Sequence, residues 1–329
     1  MGRIVDGQWV TEALITSAKD GAFKRADAVY RNWITCDGSV GPTGVGGYAA
    51  ASGRYHLYVS YACPWAHRTL IFRALKGLTD HVSVDVVHPD MLDQGWTFDT
   101  DYAGATGDRL FGSDKLHQIY TRADSNASGR ATVPVLWDKE TGTIVSNESS
   151  EIIRMFNSAF DDLTGNRLDF YPESLRTEID AVNHRIYNTL NNGVYRCGFA
   201  VSQQAYDVAV NELFDTMDWL EDRLTGQRYL AGDHVTEADW RLFPTLARFD
   251  GVYHGHFKCS RNRLIDFPSL WGYARELYQM PGVAETVNID HIRRHYHYSH
   301  ESINPTRIVP LAPQIDWLKP HGRGAQTDP

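Results

Sequence analysis

The sequence lacks the long apolar run that a membrane-spanning helix requires, since no stretch of its 329 residues approaches ~18 apolar residues. The first residues also lack the apolar core of a signal peptide, so we expect a cytoplasmic protein. Basic residues are in deficit as well, because 41 Asp and Glu against 32 Lys and Arg give a formal net charge of −9. This balance disfavours nucleic acid or an anionic membrane surface as the main partner.

Cysteine is scarce, and the four cysteines are scattered without a C-x-x-C pair, which disfavours a disulfide framework or a zinc ribbon. They are Cys36, Cys63, Cys197 and Cys259. His291 and His295 stand one helical turn apart, but no cysteine or carboxylate is arranged to complete a zinc site. The glycine-rich run at 44–49 precedes a predicted strand instead of following one, so it does not predict a nucleotide-binding loop. We expect no metal.

Cys63 stands between a predicted strand at 54–60 and a predicted helix that begins at Pro64. Proline is favoured at the first helical position, which places Cys63 at the N-cap. Free N–H groups and the positive end of the helix dipole stabilise a thiolate there. A fall of the thiol pKa from ~8.5 to ~6 would leave about nine tenths of it ionised at neutral pH. We interpret Cys63 as a nucleophile; the alternative is a small buried apolar side chain.

Three regions follow from the pattern along the chain. Residues 1–50 predict an ordered extension, which ends in a segment, 38–47, that is too glycine-rich for regular structure. Residues 51–160 predict an α/β domain in the order β-α-β-α-β-β-α, in which Pro134 near a strand entry indicates an edge strand or a cis peptide bond. Residues 161–329 predict an all-helical domain with an irregular, proline-dotted tail, and Thr236 to Asp239 have the form of a capping box.

These features resemble a known family. The Cys-Pro-x-Ala motif, the Val-Pro strand, the Glu-Ser pair after the next hairpin and the Thr-x-x-Asp cap together resemble cytosolic glutathione transferases, whose first domain is thioredoxin-like. Five segments look like the glutathionyl-hydroquinone reductases, the Xi class of that superfamily. They are RYHLYVS (54–60), ACPWAHRT (62–69), GWTF (95–98), TVPVLWD (132–138) and NNGVY (191–195). The resemblance runs over nearly the whole chain, and it implies a thioredoxin-like domain followed by a helical bundle.

The resemblance implies a glutathione site around the cysteine. The main chain of Val133, before the proline, would pair with the cysteinyl part of glutathione. Glu148 would meet the γ-glutamyl ammonium, and Ser149, at a helix start, would meet the γ-glutamyl carboxylate. Trp96 would pack on glutathione and Arg130 would face a carboxylate. Three of these assignments have another interpretation when taken alone. Trp96 would be a core residue, Arg130 a solvated charge, and Glu148 with Ser149 a plain helix cap.

The resemblance also implies three tyrosines over the cysteine, whose hydroxyls would hydrogen-bond the oxygens of a hydroquinone. Gly193-Val194-Tyr195-x-x-x-Phe199 recurs as Gly251-Val252-Tyr253-x-x-x-Phe257, which marks Tyr195 and Tyr253. The third candidate is Tyr296. The alternative is that these tyrosines simply line the core, as most of the 17 tyrosines must.

A cysteine in place of serine or tyrosine favours removal of glutathione over its addition, because a thiolate can take the glutathionyl group onto itself. We therefore expect a glutathionyl-hydroquinone reductase with glutathione as co-substrate, no permanently bound cofactor and, by resemblance, a homodimeric assembly. One alternative is an omega-like thiol transferase or dehydroascorbate reductase, which needs Cys63 but not the tyrosines. Another is a non-catalytic binding or regulatory protein with the same fold.

Overall fold

The computed structural model describes residues 2–11, 18 and 20–324, which form two compact units. The described part of the first unit is 2–11, 26–169 and 290–299, and that of the second is 18, 20–25, 170–289 and 300–324. No helix within these described ranges is long and apolar enough to cross a bilayer. The domain limits expected near residues 50 and 160 stay predictions.

The strands of the described chain all belong to the first unit. They are β1 (Gly2–Val5), β2 (Gln8–Thr11), β3 (Trp33–Thr35), β4 (Gly47–Ala49), β5 (Tyr55–Val59), β6 (Val82–Val86), β7 (Val135–Asp138) and β8 (Thr143–Ser146). The main sheet has the order β6-β5-β7-β8, with β5 parallel to β6 and antiparallel to β7. Every residue of β5 is buried, as expected for a strand with both faces covered.

The α-helices are α1 (Pro64–Leu75), α2 (Leu116–Ala123), α3 (Ser149–Ser158), α4 (Asp161–Thr164), α5 (Arg176–Ile186), α6 (Gly193–Gly198), α7 (Gln203–Gly226), α8 (Glu237–Arg248), α9 (Pro268–Gln279) and α10 (Ile289–Ser299). In the first unit α1 packs against α3. From β5 to α3 the elements follow the order β-α-β-α-β-β-α of a thioredoxin-like domain, and α5 to α9 make the second unit all-helical. The predicted fold class is confirmed.

The N-terminal extension contains strands that the sequence did not predict. Residues 38–46 lack regular structure, as expected, but β1 and β2 form an antiparallel hairpin and β3 pairs with β4 in parallel. The chain also runs beside β8, where the Asn32 N–H donates to the Val145 carbonyl at 3.0 Å and the Asn147 N–H donates to the Tyr30 carbonyl at 3.1 Å. The extension is therefore bonded to the main sheet.

In the second unit, the predicted capping box at Thr236 is present at the start of α8. The fully buried carboxylate of Asp239 accepts hydrogen bonds from the Thr236 N–H at 2.7 Å, the Leu230 N–H at 2.9 Å and the Tyr273 hydroxyl at 2.7 Å. Burial raises the pKa of Asp239, and these donors act in the opposite direction. Buried polar groups of this kind are tolerated because each is hydrogen-bonded.

The tail from 300 to 324 contains no helix or strand, yet α9 holds it. The Trp317 ring lies 4.9 Å from that of Trp271 and 5.2 Å from that of Tyr278, between ring centroids. The Arg323 guanidinium donates to Glu276 at 2.6 Å. The tail is thus packed on the helical unit by aromatic and ionic contacts.

Candidate active site

Cys63 is the N-cap residue of α1 and Pro64 is its first residue, so the predicted placement is confirmed. The Cys63 Sγ atom accepts a hydrogen bond from the Ala66 N–H at 3.5 Å. The same atom lies 3.5 Å from the carbonyl oxygen of Val133, to which the thiol donates. The helix N-terminus and the Ala66 N–H favour the thiolate, whereas the Val133 carbonyl oxygen favours the thiol.

Val133 is buried, and its peptide bond to Pro134 is cis, one of the two outcomes that the strand proline indicated. Tyr120 of α2 supports the segment, because its hydroxyl donates to the Thr132 carbonyl at 2.8 Å. The Asn147 side-chain amide in turn donates to that hydroxyl at 3.1 Å. Tyr120 therefore links the Val133 segment to the start of α3.

Glu148 and Ser149 form the start of α3. Glu148 is the N-cap, and its Oε1 atom accepts from the Ser150 N–H at 2.9 Å and the Ser150 hydroxyl at 2.7 Å. The hydroxyl of the buried Ser149 accepts from Nη1 of Arg68 at 3.4 Å. Glu148 is only partly buried, so a capping carboxylate remains accessible to a ligand's cation.

Arg68 was missed in the sequence. It lies on α1, five positions after Cys63, and is almost fully buried, with its guanidinium carbon 4.6 Å from the Trp65 ring centroid. A charged residue within a helix ordinarily predicts an exposed face, so only its position in the Cys63 helix distinguishes it. It brings a positive charge beside Ser149, where a carboxylate would be favoured.

Trp96 lies in the long connection after β6 and is buried, with its ring stacked on that of His295 at 4.7 Å between centroids. His295 belongs to α10, and its Nδ1 donates to the Pro89 carbonyl at 2.9 Å. Arg294 adds two hydrogen bonds of 2.7 Å to the Asp90 carboxylate. Helix α10 thus fastens the connection that carries Trp96.

The two remaining candidates of the first unit are Arg130 and Tyr296. Arg130 is partly exposed and directly follows Gly129, whose backbone pairs with that of Ile4. Tyr296 is buried on α10, where its ring meets that of His295 edge to face at 5.1 Å. Tyr296 therefore neighbours the residue on which Trp96 stacks.

The structure brings Tyr195 and Tyr253 together in the second unit, with 6.2 Å between ring centroids. Phe199 and Phe257, the last residues of the two repeated motifs, also meet at 5.3 Å. Each tyrosine is close to a π-helical turn, one at Tyr187–Asn191 and the other at Phe249–Tyr253. Such turns are often found at functional sites.

Arg25 is a further residue that the sequence did not mark. Its guanidinium carbon lies 4.7 Å from the Tyr195 ring centroid, and its Nε donates to the Asn192 side-chain oxygen at 2.7 Å. A cation over an aromatic ring is favourable, and Arg25 thereby holds one face of Tyr195. No local pattern connects residue 25 with residue 195, so only the structure reveals this contact.

Within the described part of the chain, no three His, Cys, Asp or Glu side chains are grouped as metal ligands would be. Nε2 of His291 donates to the Ala103 carbonyl at 2.7 Å, and His295 is bonded to Pro89. Both rings thus contact the loop before α2.

Comparisons with known proteins identify the family of this chain. The family described as "Glutathione S-transferase, N-terminal domain" matches residues 62–159, and "Glutathione S-transferase, C-terminal domain" matches residues 203–276. Glutathionyl-hydroquinone reductase YqjG of Escherichia coli is 56% identical over 98% of both chains. A solved Xi-class glutathione transferase from Natrialba magadii is 47% identical, covers 98% of this chain and 96% of its own, and has a TM-score of 0.89.

The chain belongs to the Xi class of glutathione transferases. One further relative and a solved structure of YqjG are also similar to this Xi-class chain. Glutathionyl-hydroquinone reductase PcpF of Sphingobium chlorophenolicum is 49% identical, over 95% of this chain and 96% of its own. The glutathione-bound structure of Escherichia coli YqjG has a TM-score of 0.91 at 55% identity and covers 98% of this chain and 99% of its own.

Proposed function

We propose that this Xi-class chain reduces glutathionyl-hydroquinones to free hydroquinones, with glutathione as co-substrate. The observation that carries the proposal is the Cys63 thiol at the N-terminus of α1, 3.5 Å from the Val133 carbonyl. It stands in a chain 56% identical over nearly its full length to a glutathionyl-hydroquinone reductase. A hydroxyl at this position could activate glutathione but could not accept the glutathionyl group.

The first half-reaction transfers that group to the enzyme. The Cys63 thiolate attacks the sulfur of the conjugate, an S–S bond forms and the aryl C–S bond breaks. The electron pair of the broken bond goes to the ring carbon, which takes up a proton, so the hydroquinone leaves and Cys63 holds glutathione as a mixed disulfide. The hydroxyls of Tyr195, Tyr253 and Tyr296 stabilise negative charge on the ring oxygens.

The second half-reaction restores the thiolate. A second glutathione loses its thiol proton and attacks the glutathione sulfur of the mixed disulfide, so oxidised glutathione leaves and Cys63 returns as the thiolate. A thiol of low pKa is a good leaving group, which suits this step. The net change is one conjugate plus one glutathione giving one hydroquinone plus one oxidised glutathione.

The glutathione contacts are assigned to five residues. The Val133 main chain pairs with the cysteinyl part, while Glu148 and Ser149 bind the γ-glutamyl end, near the Arg68 guanidinium. Trp96 packs on glutathione and Arg130 meets a carboxylate. No permanently bound cofactor takes part, and we assign the protein to the cytoplasm as a homodimer.

A second candidate function is omega-like thiol transfer to disulfides or dehydroascorbate. It is favoured by one relative, glutathione S-transferase omega-like 2 of Schizosaccharomyces pombe, which is 46% identical over 90% of this chain and 95% of its own. This chemistry needs Cys63 but no anion stabilisation on a ring. A non-catalytic binding role predicts that no mixed disulfide forms at Cys63.

The deciding experiment measures turnover of a panel of glutathionyl-hydroquinones against mixed disulfides and dehydroascorbate. The proposal expects the conjugates to be the best substrates by kcat/KM, together with one glutathionyl group on Cys63 by mass spectrometry after exposure to oxidised glutathione. Faster turnover of disulfides would favour the second function. Absence of the adduct would exclude both.

A further inference from the structure

The N-terminal hairpin reaches two separate loops, each of which ends at a residue assigned to glutathione. Residues 92–95 lead into Trp96, and residues 125–129 lead into Arg130. Strand β2 contacts the first loop and strand β1 contacts the second.

On the first loop, the contact is made by Trp9. Its indole Nε1 donates to the Asp93 carbonyl at 3.0 Å, and its ring stacks on that of His117 at 4.6 Å between centroids, 12° from parallel. The indole also covers Gly95, since a Cβ atom there would lie 3.0 Å from it. Gly95 has a φ of +70°, which favours glycine, so the turn before Trp96 is closed against the Trp9 ring.

On the second loop, the contact is made by the main chain. The Ile4 N–H donates to the Gly129 carbonyl at 2.8 Å, and the Gly129 N–H donates back to Ile4 at 2.9 Å. The turn of the hairpin is bonded to the same loop. The Asp6 N–H donates to the Ser128 hydroxyl at 2.9 Å, and the Gly7 N–H donates to the Ala127 carbonyl at 2.9 Å.

The turn itself admits no larger residue. A Cβ atom on Gly7 would lie 2.0 Å from the Ser125 carbonyl oxygen, and Gly7 has a φ of +77°. The two loops are distant in sequence, and one hairpin is bonded to both. Their relative position therefore depends on how the hairpin is seated.

From these contacts we infer that the N-terminal hairpin is a positioning element of the glutathione site, with Trp9 as its principal positioning residue. It fixes the loop before Trp96 relative to the loop before Arg130, so that a tryptophan face and a guanidinium meet one glutathione at the same time. This inference rests on the proposed function, which assigns both residues to glutathione. Preorganised loops raise affinity because binding then orders fewer groups.

The test is isothermal titration calorimetry with S-methylglutathione, whose blocked sulfur cannot react with Cys63. For Trp9→Ala we expect a roughly tenfold higher Kd, the size of losing about one hydrogen bond and its ring contact. Trp9→Phe keeps a ring over Gly95 but loses the indole N–H, so it should bind about threefold more weakly. Val10→Ala is the matched control, because Val10 is exposed on the same strand, and its Kd should stay within about twofold.

A second measurement separates positioning from general damage. The rate of alkylation of Cys63 by iodoacetamide, followed on the Cys63 peptide by mass spectrometry, needs no glutathione contact. It should stay within about twofold of wild type in both Trp9 variants, while KM for glutathione rises and the rate at saturating glutathione is retained. If Trp9→Ala fails to fold, Trp9→Phe decides the matter.

Arg130→Ala and Trp96→Ala show which proposal fails. If they lose affinity by tenfold or more while both Trp9 variants bind like Val10→Ala, the positioning role is wrong and the glutathione site stands. If Arg130→Ala and Trp96→Ala also bind normally, the assigned site is wrong, and the inference falls with it.

Discussion

The sulfur of Cys63 and the carbonyl oxygen of Val133 lie 3.5 Å apart, although 70 positions separate them in the chain. The thiol donates to this oxygen, whereas a thiolate would be left facing it. A glutathione whose backbone paired with Val133 would lie with its own sulfur close to Cys63. The same short segment thus borders the nucleophile and, in the proposed function, would orient the co-substrate.

We expect Cys63→Ser to abolish turnover of glutathionyl-hydroquinones, with a loss of at least about a thousandfold, because a serine hydroxyl cannot form a mixed disulfide with glutathione. Binding of S-methylglutathione should change by less than about twofold, since none of the assigned binding groups is removed. Steady-state kinetics and calorimetry on the same preparation check both. Retained turnover would refute the cysteine mechanism.

Tyr195→Phe and Tyr253→Phe should each lower kcat for hydroquinone release by about ten- to a hundredfold, since each removes one hydroxyl that we propose stabilises developing charge. Reduction of a mixed disulfide should be unchanged. Because the two rings are neighbours, the double variant should lose less than the product of the single losses.

Tyr171→Phe is the control for these variants. It removes a hydroxyl of the same helical unit, one that donates to Asp180 at 2.7 Å, and it should leave both reactions intact. Equal losses on hydroquinone conjugates and on disulfides would show that the two tyrosines serve packing and not the aromatic substrate.

His117 predicts a pH dependence of stability. Burial of its ring, and secondly Lys115, lower its pKa from the usual value of about 6.5, and no described residue hydrogen-bonds the buried Nε2. The unfolded chain therefore takes up this proton first as the pH falls. The stability that neutral His117 contributes is present above pH ~6.5 and is lost progressively below it.

His117→Phe keeps the stack on Trp9 and removes the titration. Between pH 8 and pH 5, the free energy of unfolding in urea should fall less steeply for this variant than for the wild-type chain. All other histidines are shared by the two proteins, so the difference between the curves reports His117. Parallel curves would contradict the assignment.

Trp317→Ala should release the C-terminal tail from α9, because it removes the ring that meets Trp271 and Tyr278. We expect faster cleavage within 300–324 by a protease at low concentration and a loss of about 1–2 kcal/mol in stability, since the side chain is only partly buried. Leu318→Ala, at the neighbouring exposed position, is the matched control and should change neither. Equal cleavage of both variants would mean that Trp317 does not hold the tail.

The first unit was largely predictable because its signals are local. Alternation predicted a strand at 54–60, where β5 is Tyr55–Val59. Proline after cysteine fixed the start of α1. Such patterns reflect backbone geometry, which adjacent residues are sufficient to specify.

The remaining features depend on contacts between distant residues. The hairpin Gly2–Thr11 contacts residues 93–95 and 125–129. Nothing in the ten residues of the hairpin predicts these contacts. The contact of Arg25 with Tyr195 and that of Arg68 with Ser149 also join residues far apart in the sequence, so local patterns do not predict them. Of the assigned site, Cys63 is supported by local geometry, whereas the glutathione contacts and the roles of the tyrosines stay predictions that rest on the family resemblance.

The position of α10 late in the chain affects the order in which the first unit can fold during synthesis. Residues 290–299 complete the first unit by fastening the connection at 88–103, yet they are synthesised after the whole of α5 to α9. The sheet and α1 can form early during translation, but the Trp96 connection acquires its support only after α5 to α9 have been synthesised. A nascent chain that stops before residue 290 would therefore carry Cys63 without the α10 contacts that support Trp96.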